Sequence, residues 1–162
     1  MPPQVEPAAP DLSAACGIVL SDQFGMSRTL ADYSGRTVVL YFYPKDDTPG
    51  CTVEGKEFRD LHDEFAALDV PILGVSTDSV ETHRRFAEKH ALPFPLLADV
   101  NGELARRFGV LGERGLAERV TFIIGPAGRL RRVFSNVAPR GHAREVLNFV
   151  RAFQESHRML GG

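Results

Sequence analysis

Cys51 closes the run Tyr41-Phe42-Tyr43-Pro44-Lys45-Asp46-Asp47-Thr48-Pro49-Gly50-Cys51, which carries the chain from an apolar strand to the start of a helix. The chemistry this placement offers is nucleophilic, because the thiolate rather than the thiol attacks and is oxidised. Backbone N–H groups left unpaired at a helix start, together with the helix dipole, favour the anion. An ordinary cysteine, with a pKa of about 8.5, is only roughly 3% ionised at neutral pH, whereas one lowered to about 6 is roughly 90% ionised. The competing reading is a buried, inert thiol, since cysteine is often a small core residue. The turn-rich approach followed by a helix start argues for the reactive one.

Other side chains can serve such a sulfur. Thr48, three residues earlier, offers a hydroxyl that donates or accepts, although by itself it reads equally as a turn or helix-capping residue. Glu54, three residues later, falls in the first helical turn, where an acid suits the dipole. Arg119 precedes a strand in which Val120, Phe122 and Ile124 share one face, so it points with Thr121 and Ile123 to the other. A guanidinium on that face needs a partner or a cleft, and a solvent-exposed arginine at a strand start is the alternative.

The elements that must position these residues follow from periodicity. Thr37-Val38-Val39-Leu40-Tyr41-Phe42-Tyr43 is a β-branched and aromatic strand run ended by turn formers. Beyond Cys51, Phe58, Leu61, Phe65 and Leu68 recur at three- and four-residue steps, as on one buried face of a single helix. Short extended pieces are expected near 18–20 and 27–30, a buried strand at 70–76, and a helix over 79–90 with Val80, Phe86 and Ala87 on one side. An extended stretch at 93–97 and a short helix at 102–108 come next. A hairpin turns around Gly125-Pro126-Ala127-Gly128, and a last helix spans 140–157 with Val146, Leu147, Val150 and Phe153 inward. This order predicts an α/β sandwich, a central mixed β-sheet flanked by helices, with Cys51 at the carboxyl end of a central strand, where ligand sites gather. Residues 1–10, with four prolines, read as a flexible tail, and 11–162 as a single domain.

Composition narrows the function. A chain of 162 residues, 43% hydrophobic and 25% charged, suits one domain with a real core. A net charge of −2 gives no electrostatic footprint for nucleic acid or an anionic membrane. Arg129, Arg131 and Arg132 read as a solvated strand end and Arg106-Arg107 as a solvated helix face. Two cysteines, Cys16 and Cys51, without CxxC spacing argue against a disulfide scaffold and a dithiol oxidoreductase, and fit a reducing, cytoplasmic setting. No stretch has the length of a membrane span or signal peptide. The five histidines show no paired metal-ligand spacing and most are expected on polar helix faces in structural or solvent-facing roles, so no metal is expected.

Pro44-x-x-x-Thr48-x-x-Cys51 within YFYPKDDTPGCTVE resembles the active-site motif of the peroxiredoxins, in particular the bacterioferritin-comigratory or PrxQ branch. The likeness continues through Gly74-Val75-Ser76-Thr77-Asp78-Ser79, Pro93-Phe94-Pro95-Leu96-Leu97-Ala98-Asp99 and Arg119-Val120-Thr121-Phe122-Ile123-Ile124. It implies a thioredoxin-like fold and thiol-dependent reduction of hydrogen peroxide and organic hydroperoxides without metal, haem or flavin cofactor. In that setting Cys51 attacks peroxide and becomes a sulfenic acid, Thr48 orients the peroxide, and Pro44 shields the sulfur and stiffens its loop. Arg119 matches the family's arginine, which stabilises the thiolate and the separating oxygens, and Glu54 is a candidate buttress for it.

The sequence departs from relatives that carry a second, resolving cysteine. The position five residues after Cys51 is Lys56, and the position on the next helix falls at Phe86-Ala87. Three routes for the sulfenic acid remain: Cys16 of the same chain, Cys16 of a second chain, or an external thiol such as thioredoxin, glutaredoxin or glutathione. The expectation is external resolution by a one-cysteine enzyme that is a monomer or weak dimer. A peroxide sensor that passes its oxidation to a partner protein is the alternative.

Overall fold

Runs of apolar residues that are buried on both faces form the middle of a sheet, and alternating or short runs form its edges. A computed structural model describes residues 12–159, so the proline-rich segment 1–10 lies outside the described residues. In chain order the elements are α1 (Leu12–Cys16), β1 (Leu20–Ser21), β2 (Ser27–Arg28), a 3-10 turn (Leu30–Tyr33), β3 (Val38–Phe42), α2 (Pro49–Asp60), α3 (His62–Ala67) and β4 (Ile72–Ser76). They continue with α4 (Val80–His90), β5 (Leu96–Ala98), α5 (Glu103–Arg107), β6 (Val120–Ile124), β7 (Leu130–Phe134) and α6 (His142–Met159).

The strands form one seven-stranded mixed sheet in the order β2-β1-β5-β4-β3-β6-β7. β3 pairs in parallel with β4, and β4 with β5, while β6 runs antiparallel to β3. The helices α2–α3 and α4 supply the crossovers that parallel pairing requires. Every residue of β3, β4, β5 and β6 is buried. Successive side chains along β3 go to opposite faces, and each face has its own core. Val39, Tyr41 and Tyr43 join Phe58, Phe65, Phe86, Val146 and Val150 beneath α2, α3, α4 and α6. Val38, Leu40 and Phe42 join Ala15, Tyr33, Leu104, Ala105 and Phe108 beneath α1 and α5.

The edges differ in character from the middle. β2 has two residues, and β7 keeps Arg131 and Arg132 exposed. Their guanidinium groups lie over the rings of Phe153 and Phe134, 5.5 and 4.5 Å from the centroids.

The expected α/β sandwich is observed, with three local differences. The single helix expected beyond Cys51 breaks at Leu61 (φ −100°, ψ 3°) into α2 and α3. Phe58 and Phe65 are buried on either side of the break, because the apolar stripe follows the sheet surface rather than the continuity of the chain. Ser27–Leu30, expected as extended, splits into β2 and a 3-10 turn that Thr29 and Asp32 close with a reciprocal capping box. The helix α1 had no periodic signal in its five residues.

Candidate active site

β3 ends in the core, and the segment 43–48 turns its exit into the first turn of α2. Asp47 takes a left-handed backbone conformation there (φ 60°). Thr48 occupies the N-cap position of α2 with Pro49 next, where its missing N–H costs nothing. The Thr48 side chain does not cap the helix. Its hydroxyl donates instead to Lys45 O at 2.8 Å, bracing the turn, while Thr48 O accepts the first helical bond from Thr52 N at 2.8 Å. Cys51 follows in the first turn and is buried, 2% exposed, beside the core that holds Tyr41, Tyr43 and Phe58. Pro44 is half-buried on the same segment.

Arg119 reaches this turn from the start of β6, far along the chain. Its Nη2 donates to Cys51 Sγ at 3.3 Å and its Nη1 to Glu54 Oε1 at 2.7 Å. One planar guanidinium thus bridges the sulfur and the carboxylate that share a helix turn. Burial works against its charge, but Glu54 and Cys51 more than offset this, and the Arg119 pKa lies above its ordinary value. Glu54 is fully buried, and burial pushes its carboxyl up to about 7 against the opposing pull of Arg119. Its second oxygen, Oε2, has no hydrogen-bond partner among the described residues.

The approach of Arg119 depends on Gly50. A Cβ at that position would lie 3.0 Å from Arg119 Nη2 and 3.3 Å from Pro139 Cγ. Beneath the site, Tyr41 stacks on Phe58 and Tyr43 with centroids 4.7 and 5.4 Å apart, and its buried hydroxyl also has no partner among the described residues. Burial first, then the charges of Glu54 and Cys51, raise the Tyr41 pKa well above the ordinary phenol value, so it stays neutral.

His83 and His142 are buried, which departs from the polar helix faces expected for most of the histidines and leaves them the structural rather than the solvent-facing of the two roles expected. His142 Nε2 lies 2.8 Å from Thr121 Oγ1 and 4.0 Å from Glu54 Oε2, and its Nδ1 lies 3.3 Å from Glu145 Oε1. Burial lowers its pKa despite Glu145, which keeps the ring neutral beside the Arg119–Glu54 pair. Neither His142 nor Gly50 was legible as a site residue. The contact of Gly50 is with an arginine from another strand, and His142 arrives at the head of the last helix.

Cys16 is not brought to the site. It is half-buried and lines a small apolar cleft with Tyr33, Val38, Ile124 and Pro126, at the strand end where β3 begins. Cys51 lies beyond the other end of β3, roughly 15 Å of strand away at about 3.3 Å per residue, and on the opposite face of the sheet. No helix among the described residues is long and apolar enough to cross a membrane.

The sequence pattern of the AhpC/TSA family matches residues 5–133. Peroxiredoxin Bcp of Bacillus subtilis is 49% identical over 123 residues, which cover 72% of this chain and 74% of that protein. The bacterioferritin comigratory protein of Xanthomonas campestris, studied as trapped intermediate and ligand complexes for its alkyl peroxide reduction, superposes with a TM-score of 0.84 at 38% identity. That match covers 87% of this chain and 94% of the other. Peroxidoxin BcpB of Mycobacterium tuberculosis superposes with a TM-score of 0.78 at 40% identity, over 83% of this chain and 92% of that one.

Proposed function

The chain belongs to the AhpC/TSA family of thiol-dependent peroxidases, and on that premise we propose a one-cysteine cycle at Cys51 with an external thiol as reductant. The Cys51 thiolate attacks one oxygen of ROOH, and the S–O bond forms as the O–O bond breaks. The departing RO⁻ takes up a proton and leaves as water or an alcohol. Sulfur gives up two electrons and becomes a sulfenic acid. A thiol then displaces water to form a mixed disulfide, and a second thiol frees Cys51.

The observation that carries this reading is the guanidinium of Arg119 bridging Cys51 Sγ and Glu54 Oε1. A fixed cation beside the sulfur stabilises charge that develops on the separating oxygens. Thr48 supports it as an acceptor. Its hydrogen is committed to Lys45 O, which leaves lone pairs of Oγ1 for a peroxide O–H. Pro44 limits water at the opening without spending an N–H donor. The wide separation of Cys16 from Cys51 supports resolution by thioredoxin, glutaredoxin, glutathione or a similar thiol.

Whole-protein mass measurement after one equivalent of peroxide tests the cycle. The expected product is a single added oxygen on a monomer, converted by added thiol to a mixed adduct and then to the starting mass. A loss of two hydrogens, reporting a Cys16–Cys51 bond, would overturn the one-cysteine route. One oxidation without further peroxide consumption under excess thiol would favour a sensor instead.

A further inference from the structure

The loop that carries Pro44 and Thr48 is tied along its length to α4, a helix that contributes no residue to the reaction described above. Asp46 and His83 form the centre of this tie. His83 is fully buried, its Nδ1 lies 2.6 Å from Asp46 Oδ2, and its Nε2 lies 2.9 Å from Leu97 O. A carbonyl only accepts, so Nε2 carries a hydrogen and the ring is fixed from β5 on one side and from the loop on the other.

The remaining polar atoms of Asp46 are also used. Its Oδ1 accepts from Tyr43 Oη at 2.6 Å, and its N–H donates to Asp78 Oδ2 at 2.8 Å, the same oxygen that accepts from Ser76 Oγ at 2.6 Å. Asp46, Asp78 and His83 place ligand-type atoms within 4.8 Å of one another, but those atoms are already paired by these bonds, so the cluster serves the fold rather than an ion. At the surface Asp47 adds a second tie, with Oδ2 at 2.9 Å from Lys89 Nζ and Oδ1 at 3.2 Å from His90 Nε2. The left-handed backbone of Asp47 is disfavoured for a residue with a Cβ, and it persists where the surroundings over-determine it.

We infer that His83 is a positioning residue for peroxide reduction: through Asp46 it sets the loop that places Pro44 and the Thr48 hydroxyl at the mouth of the Cys51 site. The inference rests on the peroxidase reading of that site. The sulfur is also held by the packing of α2 and by Arg119 from the start of β6, so loosening this loop disturbs the peroxide's seat more than the nucleophile.

The two contributions separate when Cys51 is offered hydrogen peroxide or iodoacetamide. Alkylation needs the thiolate but no oriented O–O bond. Rates at Cys51 are read by peptide mass spectrometry on the full chain. In His83→Leu, oxidation by peroxide falls on the order of tenfold to a hundredfold, as expected for a reacting group displaced by about 1 Å, while alkylation keeps its wild-type rate. His83→Asn, whose amide still donates towards Asp46, recovers most of the loss. If His83→Leu does not fold, His83→Asn and Asp46→Asn carry the test, with Asp46→Asn the slower of the two with peroxide. Wild-type peroxide rates in a folded His83→Leu, or in both amide variants, would overturn the positioning role. Equal losses towards both reagents would also overturn it. A wild-type Cys51 that meets peroxide no faster than a free thiol would sink the peroxidase reading itself.

Discussion

At the scale of the residue, the site turns on which charges sit beside one sulfur. Arg119 serves two acceptors with one planar group, and lysine, a point charge on a flexible stem, cannot hold both. Arg119→Lys is therefore expected to slow oxidation of Cys51 by hydrogen peroxide on the order of a hundredfold, measured by single-turnover peroxide consumption. Glu54 makes a second expectation. Its folded pKa of about 7 lies above the ordinary value of 4.5, so the folded protein holds a proton that the unfolded chain releases between those values. The stability this contributes is complete below about pH 4.5 and is lost as pH rises through about 7, a fall of about 3 kcal/mol. Urea unfolding at pH 5 and pH 8 checks it. The stability of Glu54→Gln relative to wild type increases between the two by most of that amount, and an unchanged difference refutes the assignment.

At the scale of the element, the first turn of α2 is shaped for approach rather than for helix stability. Alanine at position 50 would improve helix propensity by up to about 1 kcal/mol. Its Cβ would meet Arg119 Nη2 at 3.0 Å and press the guanidinium away from the sulfur. Gly50→Ala is expected to keep or gain thermal stability and to lose at least about tenfold in peroxide rate, measured by calorimetry and single-turnover kinetics. Much of this element was legible: the apolar run into Tyr43, the turn formers and the switch to a helical period together specify strand, loop and helix, and alternation in β6 turns Arg119 away from the face of Val120 and Phe122. His83 and His142 were not legible. Each lies on the apolar face of its helix, His83 beside Phe86 and Ala87 and His142 one turn before Val146, where an imidazole is not expected, and only the hydrogen-bond partners that arrive from Asp46, Leu97, Thr121 and Glu145 make its burial tolerable. The break at Leu61 was equally silent, since a stripe of apolar residues records the surface beneath a helix and survives a one-residue interruption.

At the scale of the molecule, the two sulfurs belong to different cores. Cys16 lies on the face of Ala15, Tyr33 and Val38, and Cys51 on the face of Tyr41, Phe58 and Val146. To join them within one chain, α1 would have to leave its core and cross the sheet. Cys16→Ser is accordingly expected to retain steady-state turnover with an external thiol, followed as peroxide consumed per enzyme, and near-complete loss would make Cys16 the resolver. The layering of a mixed sheet between helices was readable from the alternation of strands and helices, but the strand order and the opposition of the two thiols needed the three-dimensional arrangement. The outer strands carry one more consequence. With only two residues in β2 and exposed arginines along β7, neither rim offers a long, uncharged row of free amides and carbonyls for another polypeptide to zip onto. Copies of the folded chain are thereby discouraged from growing into fibrils.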